Sequence, residues 1–307
     1  MLKFLYSIYQ RSSDSSKRII VRVMGPIRLL FRPLIRHVSL GGYRMYLECS
    51  DNAAFTYYFF GDRYESVLID ACLRLASTNP GCSFLDLGAN YGAYTLALAN
   101  IGRYGLIQKI YAFEPDKQCY NALSRSVSHN RFQDLVEAAN LAVGDYVGEA
   151  DFFASARASS SNRTFRSSTE SLAFSRVESI ACTTIDDFLE ARGRRNGRFI
   201  VKIDIEGNEL RSIKGMRRLL KQSEGFALIF EYSPLSFREV GLDFEEWKRV
   251  FGELELDYAF ARTDGGLRRL DLPDGLLAGM EGMADAGGNF VIGRGLSCGC
   301  LSELIVP

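Results

Sequence analysis

Short apolar runs alternate with amphipathic segments along most of the chain, which predicts strands that alternate with helices. Residues 84–87 are apolar apart from Asp86, as expected of a strand buried on both faces in a parallel sheet. Similar runs predict further strands at 109–113, 135–139, 199–205 and 227–231. Helical patterns accompany them at 65–76, 117–129, 185–192, 209–220 and 235–251. The alternation predicts an α/β fold built on a parallel sheet.

Two strand pairs flank this alternating region. Residues 43–48 and 56–60 predict one pair before it. Residues 258–262 and 289–293 predict an antiparallel pair that closes the sheet after it. We therefore expect one doubly wound, seven-stranded sheet that is parallel except for the strand added last.

The stretch from 148 to 183 departs from the alternation of strands and helices. Short strands predicted at 150–153 and 179–183 enclose a segment rich in Ser and Arg. Long irregular segments inside a compact domain are often functional. We predict that this stretch is a hairpin insertion that arches over a pocket.

The turn after residues 84–87 has the features of a ligand site. Gly88 and Gly92 allow a sharp turn and a close approach to a ligand, and Asn90 tolerates a positive φ. A helix follows, so its N-terminal N–H groups point into the same turn. The spacing D-x-G-x-N-x-G differs from the dinucleotide fingerprint, and the Asp86 carboxylate would repel a phosphate. The turn suits a ligand with ammonium or sulfonium charge, such as S-adenosylmethionine.

A second acid stands at the end of the next predicted strand. Residues 109–113 lead directly into Glu114 and Pro115. A carboxylate at the carboxyl end of a strand can accept hydrogen bonds from ribose hydroxyls. If the strand order reverses beside residues 84–87, the pocket lies at the turn that follows them. The turn and the second acid together indicate a nucleoside-bearing cofactor.

Four segments of the chain resemble, in order and spacing, the signatures of FkbM-type S-adenosylmethionine-dependent methyltransferases. They are DLGANYGAYT (86–95), YAFEPD (111–116), TTIDDF (183–188) and VKIDIEGNEL (201–210), with FGDRYE (60–65) and GGNFVIG (287–293) as further matches. The resemblance implies a Rossmann-like class I methyltransferase domain at 43–293, with its core at 84–233 and the insertion at about 148–183. It also implies O-methylation of a hydroxyl group on a sugar, a glycan or a secondary metabolite.

The resemblance implies a set of cofactor-binding residues as well. Glu65 would lie beside the cofactor or at the pocket mouth, although the helix dipole also favours Glu at a helix start. Asn140 would border the adenine, and Asp204 would face the reactive end of the cofactor. The whole predicted set is Glu65, Asp86, Gly88, Asn90, Gly92, Thr95, Glu114, Pro115, Asn140 and Asp204.

Three acids are candidates for the base that removes the acceptor proton, namely Asp204, Glu206 and Glu231. Each ends or follows a predicted strand, where open α/β sheets place their ligands. Glu206 is alternatively a helix cap, and Glu231 alternatively makes a structural hydrogen bond. The chain has two histidines, so we expect neither a histidine base nor a multi-histidine metal site. The three carboxylates offer oxygen ligands to Mg²⁺, but we expect no required metal.

Composition narrows the class of protein. The 307 residues are 47% hydrophobic and 24% charged, which is ordinary for a globular protein. The formal net charge is zero, so we expect no nucleic-acid partner. No apolar run is long enough to span a bilayer, and the seven scattered cysteines indicate reduced thiols. We expect a cytoplasmic enzyme that acts on a small-molecule or glycan acceptor.

Positive charge is concentrated at the start of the chain. Residues 1–44 contain nine cations and one acid, a charge of +8, so the remainder carries −8. Arginines interleave with apolar residues from 19 to 38 at helical spacing, interrupted by Pro26 and Pro33. We predict a helical, amphipathic extension at 1–42 that either contacts an anionic membrane peripherally or covers the domain as a lid. Residues 294–307 are predicted to form a C-terminal tail.

Two other functions would suit a similar sheet. A nucleotide-dependent oxidoreductase is one, but the position of Asp86 and the lack of an evident hydride-site His or Tyr-Lys pair argue against it. A non-catalytic cofactor-binding protein is the other, because Asp86 and Glu114 indicate binding without proving turnover. The sequence therefore leaves both alternatives open, together with the methyltransferase hypothesis.

Overall fold

The computed structural model of the chain describes residues 37–48, 51, 54, 57, 65–155, 162, 164, 174–194, 196–263, 265–283 and 287–306. Most of the extension predicted at 1–42 lies outside these residues. Its described end, His37–Leu40, is a strand rather than a helix, because it pairs antiparallel with Tyr43–Tyr46. The strand predicted at 56–60 is wrong at Tyr57, which is helical. The Tyr57 ring packs edge-on against Tyr91 at 5.8 Å, so tertiary packing outweighs the strand propensity of its aromatic neighbours.

The strands of the described chain are β1 (His37–Leu40), β2 (Tyr43–Tyr46), β3 (Cys82–Leu87), β4 (Ile107–Phe113), β5 (Val136–Ala139), β6 (Ala142–Val143), β7 (Gly148–Ser155), β8 (Phe174–Thr183), β9 (Arg198–Ile203), β10 (Gly225–Tyr232), β11 (Tyr258–Arg262), β12 (Leu267–Leu270) and β13 (Gly288–Arg294). Its longer helices are α1 (Ser66–Thr78), α2 (Ala93–Gly102), α3 (Lys117–His129), α4 (Ile185–Glu190), α5 (Glu209–Lys214), α6 (Arg217–Gln222), α7 (Pro234–Glu239), α8 (Phe244–Gly252) and α9 (Asp274–Glu281). A 3-10 helix, Gly299–Leu304, follows β13.

The central sheet has the strand order β12-β11-β13-β10-β9-β3-β4-β5. Strands β10, β9, β3, β4 and β5 are parallel, and β13 is antiparallel to both of its neighbours, β10 and β11. The strand order reverses at β3, which lies between β4 and β9. The predicted fold class is confirmed in its architecture: the protein has a doubly wound, Rossmann-like α/β sheet.

The sheet has one strand more than the seven predicted. The additional strand, β12, pairs antiparallel with β11 at one edge of the sheet. Its sequence is Leu-Arg-Arg-Leu, and the two central arginines are exposed. Because it lacks the alternation of apolar and polar positions that marks a half-buried strand, the hydrophobic pattern did not reveal it.

Two hydrophobic cores lie on opposite faces of the central sheet. Phe84 belongs to the core shared with α1, α2 and α3, whereas Leu85 and Leu87 belong to the core on the other side. This assignment follows from the alternation of side chains along a strand. All six residues of β3 are buried, which confirms the prediction of a strand covered on both faces.

Two of the predicted helices are each divided into two shorter helices. The helix expected at 209–220 consists of α5 and α6, and Gly215 between them approaches another segment so closely that a Cβ would lie 2.0 Å from the Gly144 carbonyl oxygen. The helix expected at 235–251 consists of α7 and α8. Asp243 caps α8 by accepting a hydrogen bond from the Glu246 N–H at 2.9 Å. The spacing of apolar residues alone does not reveal either interruption.

The insertion forms a separate three-stranded sheet. Strands β7 and β8 pair antiparallel along their length, and β6 pairs parallel with the end of β8. Both hairpin strands are longer than the sequence predicted. In the tail, Leu301 is buried and Glu303 forms an ion pair with Arg74 of α1. The domain boundaries at 42, 293 and within the insertion stay predictions.

Among the helices of the described ranges, none combines the length and the apolar character needed to cross a bilayer.

Candidate active site

A cavity opens at the carboxyl ends of β3, β4, β9 and β10, beside the reversal of strand order. Open α/β sheets bind their ligands in this position. Nine of the twelve predicted site residues line it: Glu65, Asp86, Gly88, Asn90, Glu114, Pro115, Asp204, Glu206 and Glu231. The other three, Gly92, Thr95 and Asn140, do not line the cavity. They contact residues that do.

Gly88 makes the close approach of two strands possible at the base of the cavity. Its φ is +81°, and a Cβ at this position would lie 1.9 Å from the carbonyl oxygen of Asp204. The N–H groups of Gly88 and Ala89 both donate to the carbonyl oxygen of Phe113, at 3.0 and 2.9 Å. Only glycine fits here, because any side chain would collide with the backbone after β9. Gly92, with φ +90°, precedes α2 and completes the turn.

Asp86 joins β3 to the first turn of α2. Its Oδ2 accepts hydrogen bonds from the Thr95 N–H at 3.0 Å and from the Thr95 hydroxyl at 2.6 Å. Burial raises the pKa of Asp86 to about 6, although the bonds from Thr95 lower it. Its Oδ1 accepts no hydrogen bond from the described residues, so this oxygen is available to a ligand. Thr95 thus positions Asp86 and does not line the cavity.

Glu114 is held by two backbone N–H groups. Its Oε2 accepts from Asn90 at 2.6 Å, and its Oε1 accepts from Asp116 at 2.7 Å. Asn90 has a φ of +51°, so its left-handed backbone directs this N–H toward Glu114. Burial raises the pKa of Glu114 to about 8, against the lowering effect of the two N–H donors. The Asn140 side chain fixes the same segment by donating to the carbonyl oxygens of Glu114 and Pro115, both at 2.8 Å.

Lys202 lines the cavity and was not among the predicted site residues. Its Nζ donates to Asp204 Oδ2 at 3.2 Å and lies 5.2 Å from the centroid of the Tyr94 ring. The Tyr94 hydroxyl donates to Glu65 Oε2 at 2.5 Å. Burial alone would lower the pKa of Lys202, but Asp204 and Glu65 raise it above its usual value. Alternation along β9 predicts that Lys202 shares a face with Ile200, but the register of β9 beside β3 decides that Asp86 lies on that face as well.

The loop after β9 is stabilised by Glu209. Its carboxylate accepts hydrogen bonds from the N–H groups of Ile205 at 3.1 Å and Gly207 at 2.9 Å. Glu209 thus binds backbone N–H groups of this loop, and the helix-cap alternative for Glu206 stays a prediction. Burial raises the pKa of Glu209 to about 7. Glu206 has a φ of +56° and lines the cavity.

The three candidate bases converge at one end of the cavity. One carboxylate oxygen from each of Asp204, Glu206 and Glu231 lies within 4.8 Å of the other two. All three side chains are partly exposed. Carboxylates arranged in this way can accept hydrogen bonds from hydroxyl groups and take up a proton, and they also present oxygen ligands of the type that Mg²⁺ prefers.

The insertion contributes to the wall of the cavity. Phe152 of β7 lines it, together with Asn162 and Thr164 from the segment between β7 and β8. The Asn162 side chain donates to Asp116 Oδ2 at 3.2 Å. The Asn208 side chain donates to the Thr164 hydroxyl at 2.5 Å. These described residues of the insertion form part of the cavity wall, and the arch of the insertion over the pocket stays a prediction.

The chain matches a known protein family. The Methyltransferase FkbM domain matches residues 86–260, more than half of the chain. The chain belongs to the FkbM methyltransferase family. This confirms the resemblance inferred from the sequence signatures and assigns the protein to a family of methyl-transferring enzymes. Among curated proteins, none matches this FkbM chain.

Three solved structures similar to this chain share little sequence identity with it. Methyltransferase FkbM from Methylobacillus flagellatus KT is 16% identical, with 70% of this chain and 44% of that chain covered and a TM-score of 0.41. TYW2 of M. jannaschii, in complex with AdoMet, is 11% identical, with coverage of 84% and 83% and a TM-score of 0.38. The N-terminal domain of human METTL16, in complex with SAH, is 14% identical, with coverage of 69% and 60% and a TM-score of 0.35. The present chain spans less than half of the Methylobacillus FkbM protein.

Proposed function

We propose that this FkbM methyltransferase binds S-adenosylmethionine in the cavity and methylates a hydroxyl group of a sugar, a glycan or a secondary metabolite. The observation that carries the proposal is the pair of buried acids, Asp86 and Glu114, at the ends of neighbouring parallel strands. Both carboxylates are oriented by hydrogen bonds within the protein before any ligand is bound. Such preorganisation favours binding, because the side chains lose little further freedom.

The chemistry of the lining residues fits this cofactor. The carboxylate of Glu114 would accept the ribose hydroxyls, since backbone N–H groups already fix the plane of its two oxygens. Pro115 and Leu141 would border the adenine ring. Asp86 and Glu65 would attract the positively charged end of the cofactor. The same acids would repel the phosphate groups of a dinucleotide. Family membership likewise favours methyl transfer over the oxidoreductase alternative.

The acceptor would lie against Asp204, Glu206 and Glu231. S-adenosylmethionine supplies a methyl group on a sulfonium, so the carbon is already activated for displacement. The tasks left to the protein are to orient the acceptor hydroxyl and to accept its proton as the new C–O bond forms and the C–S bond breaks. One of the three clustered carboxylates would take that proton. No metal is required in this scheme.

Isothermal titration calorimetry with S-adenosylmethionine and S-adenosylhomocysteine tests the cofactor. Losing a hydrogen bond to a charged group weakens binding by about 1.5–3 kcal/mol, so at a pH above the pKa of Glu114 the substitution Glu114→Ala should lower affinity roughly 10- to 100-fold. Glu281→Ala, which removes an exposed glutamate of α9, is the matched control and should bind like the unmodified protein. Unchanged affinity in a folded Glu114→Ala protein would remove the ribose role.

Product analysis tests the reaction. Metabolites and glycans from cells with and without the protein should differ by methyl groups on oxygen, labelled when methyl-labelled S-adenosylmethionine is supplied. Turnover should persist after treatment with a metal chelator; loss restored by Mg²⁺ would show that the carboxylate cluster binds a metal. Tight cofactor binding without any methylated product would favour the non-catalytic alternative.

A further inference from the structure

Lys202 is a buried ammonium group in the wall of an otherwise acidic cavity. Its side chain is 1% exposed, and it stands on β9, directly beside Asp86 in the register of β3 and β9. Side chains at paired positions of neighbouring parallel strands point to the same face of the sheet. The Tyr94 ring, from the first turn of α2, lies on that face as well. Lys202 therefore belongs to the side of the cavity formed by the turn after β3.

The ammonium has hydrogen-bonding capacity that the protein does not use. An ammonium group carries three N–H donors. In the described parts of the chain, Asp204 supplies its one acceptor, and the contact with Tyr94 is made through the face of an aromatic ring. Buried donors are normally satisfied, since leaving them without an acceptor is unfavourable. Two donors of Lys202 are thus available to a ligand in the cavity that it lines.

The charges around Lys202 indicate the chemistry of that ligand. Among the described residues of the wall, Lys202 is the one cation, and six residues carry carboxylates: Glu65, Asp86, Glu114, Asp204, Glu206 and Glu231. A wall of this composition suits a ligand with more than one positive centre and a single negative group. The amino-acid end of S-adenosylmethionine has an ammonium, a sulfonium and one carboxylate.

We propose that Lys202 Nζ binds the carboxylate of the cofactor's amino-acid portion, while Glu65 and Asp204 beside it face the ammonium. This assignment rests on the proposed function and deepens it by dividing the methionine end between one cationic and two acidic residues. In this assignment, the ion pair with Asp204 keeps the Lys202 ammonium charged and positions it for the ligand.

A comparison of two ligands tests the assignment. Decarboxylated S-adenosylmethionine lacks the carboxylate but keeps the sulfonium and the ammonium. By calorimetry, Lys202→Met should weaken binding of S-adenosylmethionine roughly 10- to 100-fold and leave the affinity for the decarboxylated ligand within about threefold. Lys202→Arg, which keeps the positive charge, should restore part of the loss. Lys221→Met, at an exposed lysine of α6, is the matched control.

Each result has a distinct meaning. Equal losses for both ligands would show that Lys202 is only a counter-ion of Asp204, and unchanged affinity for both would place its function elsewhere. If Lys202→Met fails to fold, the unmodified protein still decides the question: it should bind the decarboxylated ligand about tenfold or more weakly than S-adenosylmethionine. Equal affinity there would overturn the assignment. An unmodified protein that binds neither ligand would overturn the proposed function itself.

Discussion

The two sides of the cavity wall are built in different ways. On the side of the turn after β3, Asp86 and Glu114 are buried and accept hydrogen bonds from backbone N–H groups close to them in the fold. On the other side, Glu206 and Glu231 are partly exposed and stand at the ends of β9 and β10. The first side is rigid and specified by a short motif, whereas the second is open to solvent and to the insertion.

This difference separates two requirements of one enzyme. A cofactor that is the same for every member of a family can be bound by a preorganised turn. In the proposed function the acceptor would lie against residues at strand ends and in an inserted segment, positions at which substitutions disturb the sheet least. The insertion and the loop after β9 are joined by the hydrogen bond between Thr164 and Asn208.

The largest expected effect concerns turnover on the acceptor side. Among Asp204→Asn, Glu206→Gln and Glu231→Gln, the variant that removes the base should lower kcat by about 10²- to 10⁴-fold, because an amide cannot take up the acceptor proton. Glu206→Gln and Glu231→Gln should leave cofactor affinity within about threefold, as calorimetry would show. Steady-state kinetics in which all three variants keep full activity would contradict a carboxylate base.

The next effect concerns the rigidity of the turn. Gly88 and Gly105 have nearly the same φ, +81° and +83°, but a Cβ at Gly105 meets nothing within 4 Å. Gly105→Ala should therefore reduce the free energy of unfolding by about 1–2 kcal/mol, the cost of a left-handed backbone. Gly88→Ala should cost roughly 1–3 kcal/mol more, since its Cβ must displace the backbone of Asp204. Equal midpoints for the two variants in urea unfolding would show that this close approach is unimportant.

The slope expected in the pH dependence of stability is smaller, per pH unit, than the effect of Gly88→Ala. Burial raises the pKa of Glu114 from 4.5 to about 8, so the folded protein binds more protons than the unfolded chain between these values. The free energy of unfolding should then fall as pH rises from about 4.5 to 8, by up to about 1.4 kcal/mol per pH unit. Asp86 acts in the same direction up to about pH 6, and Glu209 up to about pH 7.

Glu114→Gln tests this pH dependence, because it cannot ionise. Its unfolding free energy should decline less steeply between pH 6 and 8 than that of the unmodified protein, a window that lies above the pKa of Asp86. Chemical denaturation at several pH values would measure both slopes. Parallel curves for the two proteins would show that Glu114 is already ionised in the folded state at neutral pH.

The smallest effect concerns contact of the N-terminal extension with a membrane. If the basic extension predicted at 1–42 docks on an anionic membrane, Arg28→Gln should weaken vesicle binding by about 1 kcal/mol, a factor of roughly five. Flotation with anionic and neutral vesicles, at low and at physiological salt, measures this partition. If the full-length protein does not bind anionic vesicles, the lid alternative is favoured. Both alternatives involve residues outside the described ranges.

The sequence by itself determined the features that depend on neighbouring residues. The run at 84–87, its glycine turn and the acids at 86 and 114 indicated a buried strand and a ligand site at its carboxyl end. These inferences hold because burial on both faces, turn geometry and the direction of a strand end are local properties of the chain. The family signatures extended the same information to the fold class, which the strand order confirms.

Tertiary structure alone decided which polar groups meet. Lys202 joins the cavity wall because β9 lies beside β3 in one particular register, and Asn208 meets Thr164 of the insertion. The close approach of Gly215 to Gly144 and the edge strand β12 likewise depend on contacts between distant segments. Hydrophobic periodicity reports which face of an element is buried, whereas a hydrogen bond depends on the relative placement of two elements to within a fraction of an ångström.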